Sequence, residues 1–317
     1  MRPPNRSPMP DLARLLDETN LLLTANGLPA CHSLAPVKDG DTANPNAIAY
    51  SAEGKYVVKV TQRHPDTLDR QLEIANALRN TTDLPIPRHY CCANEQGRLP
   101  LMIMEWLPGE QLRTVLAAAE HDDLRKLCAG LAACLATFHD PAHMNLVSQE
   151  DRGIAPWFYQ QTIEALRETA RDPRPDGADS LDAVAVRRYL DARFDDLTAA
   201  AIPSLAKADQ DLRDFLVDPA TFEIIGMLDW ERVTRGDGVF ALTLIFFRLW
   251  VNGKLDGWPV FRDTYNRLAT LRAEQCPQAE FYLMCRAVLA QRFTNRANEI
   301  ADLLLQGQRL PFEGDLA

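Results

Sequence analysis

The sequence lacks any apolar run of about 18 residues, the length that a membrane-spanning helix requires. It also lacks an excess of positive charge. Its 34 lysines and arginines stand against 44 aspartates and glutamates, a formal net charge of −10. That balance argues against nucleic acid or an anionic membrane surface as the main partner, and it would attract a cationic small molecule. The simpler alternative is a solvated acidic surface. Seven cysteines occur, Cys31, Cys91, Cys92, Cys128, Cys134, Cys276 and Cys285. Their odd number and irregular spacing fit neither a disulfide framework nor a zinc knuckle. Cys128, Cys134 and Cys285 fall in apolar helical patterns, where a thiol serves as a small core side chain. Residues 1–10 are polar and proline-rich with no apolar stretch behind them, unlike a secretory signal, and are expected to be mobile. The expected compartment is therefore the reducing cytoplasm. No Gly-x-Ser-x-Gly elbow occurs, which speaks against a serine hydrolase of that kind. No Gly-x-x-x-x-Gly-Lys-Ser/Thr occurs either, which excludes a P-loop enzyme. The six histidines show no ligand spacing.

What is present is ample material for a core, with 46% apolar residues in 317. Asp11 can cap a helix that carries Leu12, Leu15, Leu16, Leu22 and Leu23 and stops at Gly27. Asn46–Tyr50 and Lys55–Val60 read as a hairpin around Ser51-Ala52-Glu53-Gly54. A helix follows over 66–79 with Leu68, Leu72, Ala75 and Leu78 on one side. Further strands are expected at 88–93 and 99–105. After Trp106-Leu107-Pro108-Gly109 the pattern turns helical, with segments over 122–139, 157–171, 181–199, 239–251, 259–273 and 277–306. One β-rich island interrupts them at 213–229. The expected fold class is α+β, with a small β-rich lobe over 1–105 and a larger helical lobe over 106–317.

Two constellations carry chemistry. Lys59 points to the face of its strand opposite Tyr56, Val58 and Val60, where a buried ammonium requires an anion. Glu73, on the following helix, is the expected partner, an arrangement suited to holding the phosphates of ATP. The alternative is a surface lysine on an edge strand beside an exposed glutamate. In the second constellation, Asp214 precedes one strand-like run and Asp229 follows the next. A hairpin would bring the two carboxylates together as hard oxygen ligands for Mg²⁺. Asp209, five residues before Asp214, lies on the preceding loop, within reach of a substrate nucleophile. Turn-forming and strand-capping aspartates are the competing reading.

In order along the chain, these residues resemble the aminoglycoside phosphotransferase and choline kinase group of small-molecule kinases. Lys207-Ala208-Asp209 stands where that family has His-Gly-Asp, Asp214 where it has Asn, and Met227-Leu228-Asp229-Trp230-Glu231 at its metal-binding motif. The run Tyr56 to Val60 is similar to the family's phosphate-lysine strand, and Arg70 to Glu73 to its glutamate helix. Residues 103–112 are similar to the linker whose backbone meets adenine, and 135–139 to a helix ending in Leu-His. The resemblance covers about residues 30 to 245. It implies a protein-kinase-like two-lobed fold and transfer of phosphate from ATP (or GTP), with Mg²⁺, to a hydroxyl of a small molecule such as an antibiotic or amino sugar. It assigns Asp209 to catalysis, Lys59, Glu73, Glu105 and Leu107 to the nucleotide, and Asp214 and Asp229 to the metal.

The departures leave alternatives open. Lys207 replaces a histidine, Ala208 a glycine and Asp214 an asparagine. Ala241 stands where an aspartate braces the loop. A nucleotide-binding pseudokinase is one alternative, and a same-fold enzyme with altered transfer chemistry is another. The segment Asp191 to Asp196 is either an acidic substrate surface or a solvated helix face.

Overall fold

The computed structural model describes residues 9–37, 45–61, 65–94, 98–147, 154–171, 181–194, 197, 203–269, 276–291, 293–308 and 310–312. The expected mobile start (apart from Met9 and Pro10) and the carboxylates of Asp195 and Asp196 lie outside these residues. Among the described residues no helix is long and apolar enough to cross a membrane.

By its internal contacts the chain falls into two units. The first comprises Met1–Gln111, Asp214–Ala220 and Ile224–Glu231. The second comprises Leu112–Arg213, Thr221–Glu223 and Arg232–Ala317. The sequence places its boundary near residue 106. The contact division falls a few residues later and also draws the 214–231 region into the β-rich unit.

In the β-rich unit, helix α1 (Leu12–Ala25) starts at Asp11, whose carboxylate accepts the Ala13 N–H at 3.1 Å. Strand β1 (Cys31–Pro36) follows, an element whose weak alternation gives no signal in the sequence. It joins an antiparallel sheet with β2 (Asn46–Ser51), β3 (Lys55–Val60), β4 (His89–Ala93) and β5 (Leu101–Glu105), in the order β1-β2-β3-β5-β4. Leu15, Leu22 and Leu23 of α1 pack with Ala47, Ala49, Tyr56, Val58, Val60, Leu101 and Ile103 in one core. Burying those side chains contributes about 1.5–3 kcal/mol for each large one. Helix α2 (Leu68–Thr81) buries Leu68, Gln71, Ile74, Ala75 and Leu78. Leu68, Ala75 and Leu78 of the expected stripe lie inside; Gln71 and Ile74 join them, and Leu72 is only half-buried.

The β island also belongs to this unit. Strand β6 (Glu110–Gln111) pairs with a later strand, Phe215–Val217, which pairs in turn with Ile224–Met227. These three short strands form their own antiparallel sheet, and the third partner supplies the support that an isolated ribbon lacks.

The second unit is mainly helical. Helices α3 (Leu112–Ala118), α4 (His121–Phe138), α5 (Ile154–Arg171) and α6 (Ala183–Phe194) come first. Strand β7 (Pro203–Lys207) follows α6; with the island strands numbered β8 (Phe215–Val217) and β9 (Ile224–Met227), the next is β10 (Val233–Asp237). Strands β7 and β10 pair antiparallel, from Val233 opposite Lys207 to Asp237 opposite Pro203. Neither strand is anticipated from the sequence. Helices α7 (Gly238–Val251) and α8 (Trp258–Leu268) follow, then α9 (Cys276–Ala290) and α10 (Asn295–Leu305). The single helix expected over 277–306 is broken because Thr294 caps a new one, its hydroxyl accepting from the Arg296 N–H at 3.3 Å.

Candidate active site

In the β-rich unit the site begins with Lys59. Strand β3 lies inside the sheet, between β2 and β5, with Lys59 opposite Asn46 and Met102. The lysine is therefore buried, with a side chain only 9% exposed. Its Nζ donates to Asp229 Oδ1 at 2.6 Å and to Glu231 Oε2 at 3.2 Å. Burial pulls the lysine pKa down, but Asp229 and then Glu231 outweigh it and hold the value above the ordinary lysine range. The expected partner, Glu73, does not take this place: it is exposed on α2, and the buried faces there are those of Gln71, Ile74, Ala75 and Leu78. Successive residues on a helix point about 100° apart, so Glu73, two positions past the buried Gln71, turns outward.

Asp229 reaches the lysine from an unusual backbone. Its φ is +62°, a left-handed conformation that aspartate tolerates better than most residues. The turn is anchored on both sides. The Leu228 N–H donates to the Asp214 carbonyl at 2.7 Å, so the two strand ends meet as the sequence predicts. The Met227 N–H donates to the Pro85 carbonyl at 2.7 Å, and the buried Trp230 indole donates to the Met227 carbonyl at 3.2 Å. Asp214 itself is buried.

Glu105 and Leu107 occupy the end of β5 and the link beyond it. The Glu105 carboxylate accepts the Arg88 N–H at 2.9 Å, while its own N–H donates to the Arg88 carbonyl at 2.8 Å. Leu107 packs over Gly226, where a Cβ would come within 3.0 Å of Leu107 Cδ1. The Leu107 carbonyl accepts from the Gly109 N–H at 3.0 Å.

In the helical unit, β7 delivers Lys207-Ala208-Asp209 to a tight turn. The Gln210 N–H donates to the Lys207 carbonyl at 3.3 Å, and the Ala208 N–H to the Arg232 carbonyl at 3.0 Å. Lys207 is fully buried. Asp209 faces the guanidinium of Arg232, Nε to Oδ2 at 3.6 Å. Asp211 accepts from Arg248 at 2.7 Å and Arg213 at 3.2 Å. Burial pushes the Asp211 pKa up, but Arg248, and then Arg213, hold it below the ordinary carboxylate range. Behind the ribbon, buried Asp237 caps α7 by accepting the Val239 N–H at 3.0 Å. Burial raises its pKa to about 7 against that bond. Ala241 is fully buried in the same helix. Nearby, the Arg286 guanidinium donates to the Phe240 carbonyl at 2.7 Å and to the Thr243 hydroxyl at 3.3 Å.

His139 is also buried, and its Nδ1 lies 2.9 Å from the Tyr265 hydroxyl. Burial lowers its pKa to about 3, so it is a neutral interior group. Glu231 and Arg232 are the site residues that sequence reasoning passed over. Glu231 stood in the quoted Asp-Trp-Glu run, but only the tertiary contact with Lys59 shows where its carboxylate goes.

Asp229 and Glu231 present hard oxygen donors and already hold one cation, the Lys59 ammonium, between them. That donor set fits Mg²⁺, which favours one or two carboxylates with phosphate oxygens and water.

Comparison with known proteins bears on the family and the fold. No curated protein matches the chain. Among solved structures, a spectinomycin phosphotransferase in complex with ADP and spectinomycin is similar with a TM-score of 0.63 and 14% identity, covering 93% of this chain and 94% of that one. The ternary complex of an aminoglycoside phosphotransferase with streptomycin and ATP gives 0.58 and 14%, covering 96% and 99%. The GDP complex of an aminoglycoside 2'-phosphotransferase gives 0.59 and 15%, covering 92% and 97%. At such identities the likeness shows the fold, which is protein-kinase-like and two-lobed, with a small antiparallel β lobe and a helical lobe. A model of the phosphotransferase enzyme family matches residues 35–277, and with most of the chain inside that match, the protein belongs to the phosphotransferase enzyme family.

Proposed function

We propose that this protein transfers the γ-phosphoryl group of ATP, with Mg²⁺, to a hydroxyl of a small molecule. The observation that carries the reading is Lys59, buried on a central strand and held between Asp229 and Glu231. A buried ammonium flanked by two carboxylates is set up to exchange one anionic partner for another, here the α- and β-phosphates of a nucleotide. Asp229 and Asp214, with Glu231 beside them, would hold Mg²⁺, which supplies charge neutralisation for the phosphates when bound. The backbone at Glu105 and Leu107 would meet the base. Glu73, being exposed, has no part in positioning Lys59.

Asp209 then serves as the base. The acceptor oxygen forms a bond to the γ-phosphorus as the bond to the departing ADP breaks, and the hydroxyl proton passes to the Asp209 carboxylate. Most of the rate gain in such a site comes from positioning and fixed charge. GTP is a second candidate donor, since one of the similar structures holds GDP. We place the reaction in the cytoplasm, where ATP is abundant and where thiols such as Cys91, Cys128 and Cys285 stay reduced.

A second reading, nucleotide binding without transfer, is favoured by the Arg232 guanidinium already facing Asp209 and by Lys207 and Ala208 in place of histidine and glycine. Thermal melting with Mg²⁺-ATP and Mg²⁺-GTP, alongside product mass over a panel of hydroxyl compounds, separates the two. Stabilisation with product supports transfer, and stabilisation without product supports the second reading. A melting curve that neither nucleotide moves overturns both.

A further inference from the structure

We propose that Asn46 is a phosphate-binding residue, its side-chain amide donating a hydrogen bond to the α- or β-phosphate of the nucleotide beside Lys59. The inference rests on the phosphotransferase reading and adds a residue that no motif in the sequence marks.

Strand pairing in the β-rich unit puts Asn46 and Lys59 side by side. Asn46 opens β2 and stands directly opposite Lys59 on β3. The Val60 N–H donates to the Pro45 carbonyl at 2.9 Å, which makes Val60 and Pro45 a hydrogen-bonded pair of the ladder. The next pair, Lys59 with Asn46, is then of the non-hydrogen-bonded kind, in which Cα atoms approach to about 4.5 Å and side chains stand closest. Both side chains lie on the face opposite Ala47, Ala49, Tyr56, Val58 and Val60, which pack with α1.

The rest of that face is ordered in a way that suits a nucleotide. Ile48, Val57 and Met104 are cross-strand partners and form a half-buried apolar row. Glu105 stands opposite Tyr56, so the link that would meet the base lies three residues along β3 from Lys59, about 10 Å. A base held by that link and the apolar row therefore sends its phosphates toward the Lys59 row, where Asn46 stands.

Asn46 is unlike an asparagine that only shapes a turn, which bonds the neighbouring backbone through its side chain. The Asn46 side chain makes no hydrogen bond among the described residues, and its Oδ1 is enclosed without a partner. Its backbone, in contrast, is fixed, because its carbonyl accepts the Val37 N–H at 2.9 Å. An unpaired buried oxygen opposes folding, so stability does not account for an amide at this position. With the oxygen enclosed, the Nδ2 end is the one left to a ligand, and it offers N–H donors only. Ionised phosphate oxygens are acceptors, so this end of the amide matches them in the row where the Lys59 ammonium supplies the charge.

The test is displacement of a fluorescent ADP analogue from the full chain in the presence of Mg²⁺. Asn46→Ala should raise the dissociation constant of ADP by about tenfold or more, as loss of a hydrogen bond to a charged group does. Asn46→Ser, which keeps a shorter side-chain donor, should lie between it and wild type. Without nucleotide, Asn46→Ala should melt no lower than wild type, because the bond it removes forms only with the ligand. Two controls locate the contact. Dideoxy-ADP lacks both ribose hydroxyls and should show the same loss; adenosine lacks the phosphates and should show none. A loss that vanishes with the dideoxy sugar, or that adenosine shares, overturns the proposal. So does unchanged ADP affinity in Asn46→Ala, which leaves the phosphotransferase reading standing. A fall of several degrees in the melting temperature of both variants without nucleotide also overturns it, since that marks a structural asparagine. Wild-type protein that binds neither ADP nor ATP rejects the phosphotransferase reading, and this inference with it.

Discussion

Replacing Lys59 by methionine keeps the unbranched stem and deletes the charge. Asp229 and Glu231 are then left facing each other with their side chains only 28% and 12% exposed. Removing one partner from a fully buried ion pair costs about 3–5 kcal/mol, because the other charge is left unpaired. Asp229 retains access to water, so about 1–3 kcal/mol is expected here, enough to lower the melting temperature by several degrees. The loss should be reversible by metal. Mg²⁺ without nucleotide has to compete with the ammonium in the native protein but not in Lys59→Met, so MgCl₂ should stabilise the variant more than the wild type. The pH dependence has a definite sign. The folded lysine has its pKa raised, so its contribution is complete below the ordinary lysine range near 10.4 and fades only as pH rises through the higher folded value. The difference between wild type and variant should thus be constant around neutrality and shrink in strong alkali, as far as the fold survives there. Differential scanning fluorimetry over pH and MgCl₂ measures all three effects. Equal melting temperatures together with equal Mg²⁺ responses would refute the paired arrangement.

Asp229→Asn should weaken Mg²⁺-dependent nucleotide binding in a calorimetric titration, whereas Asp209→Asn should leave that affinity nearly unchanged and remove product formation. Asp237→Asn keeps an oxygen to cap α7 but removes a buried carboxylate whose pKa is raised to about 7. Because the folded group holds its proton where the unfolded one has lost it, wild-type stability should fall as pH rises from about 4 to 7, by on the order of 2–4 kcal/mol. The asparagine variant should lack that slope and melt higher than wild type at pH 8, as read from melting temperature against pH. Gly236→Ala would set a Cβ 2.5 Å from that of Ala206, forcing β10 away from the strand that carries Lys207 to Asp209. A stability loss of about 1–3 kcal/mol in denaturant unfolding, with a larger fall in kcat than in substrate affinity, is the expected outcome.

Much of this protein was legible from local patterns. The hairpin of β2 and β3, the helix after it, the turn to helices beyond Trp106 and the two island strands all follow from period and turn chemistry. Those signals survive because each element is amphipathic or punctuated on its own. The ordered set of Lys59, Asp209, Asp214 and Asp229 was legible for a different reason, since its residue types stand in the order of the family's motifs. The sequence also placed Lys59 on the strand face opposite Tyr56, Val58 and Val60, and left open whether it was a buried lysine paired to an anion or a surface one.

Which anion it meets was decided only by tertiary structure. Glu73 looked suitable because Leu72 beside it was taken as a buried residue, but the inner face of α2 is centred on Leu68, Gln71, Ala75 and Leu78, which leaves Leu72 half-buried and Glu73 exposed. A helix chooses its phase by what it packs against, and period alone leaves about one residue of freedom. Glu231 takes the role because the turn after β9 brings a residue 172 positions away to Lys59, a distance in sequence that no local pattern encodes. Strands β7 and β10 were invisible for the same reason: each is short, and each is a strand only because the other lies beside it. The Arg232–Asp209 approach is a product of that pairing. Residue types in order marked the family the chain resembles, and only the contacts between segments distant in sequence decided which side chains face each other.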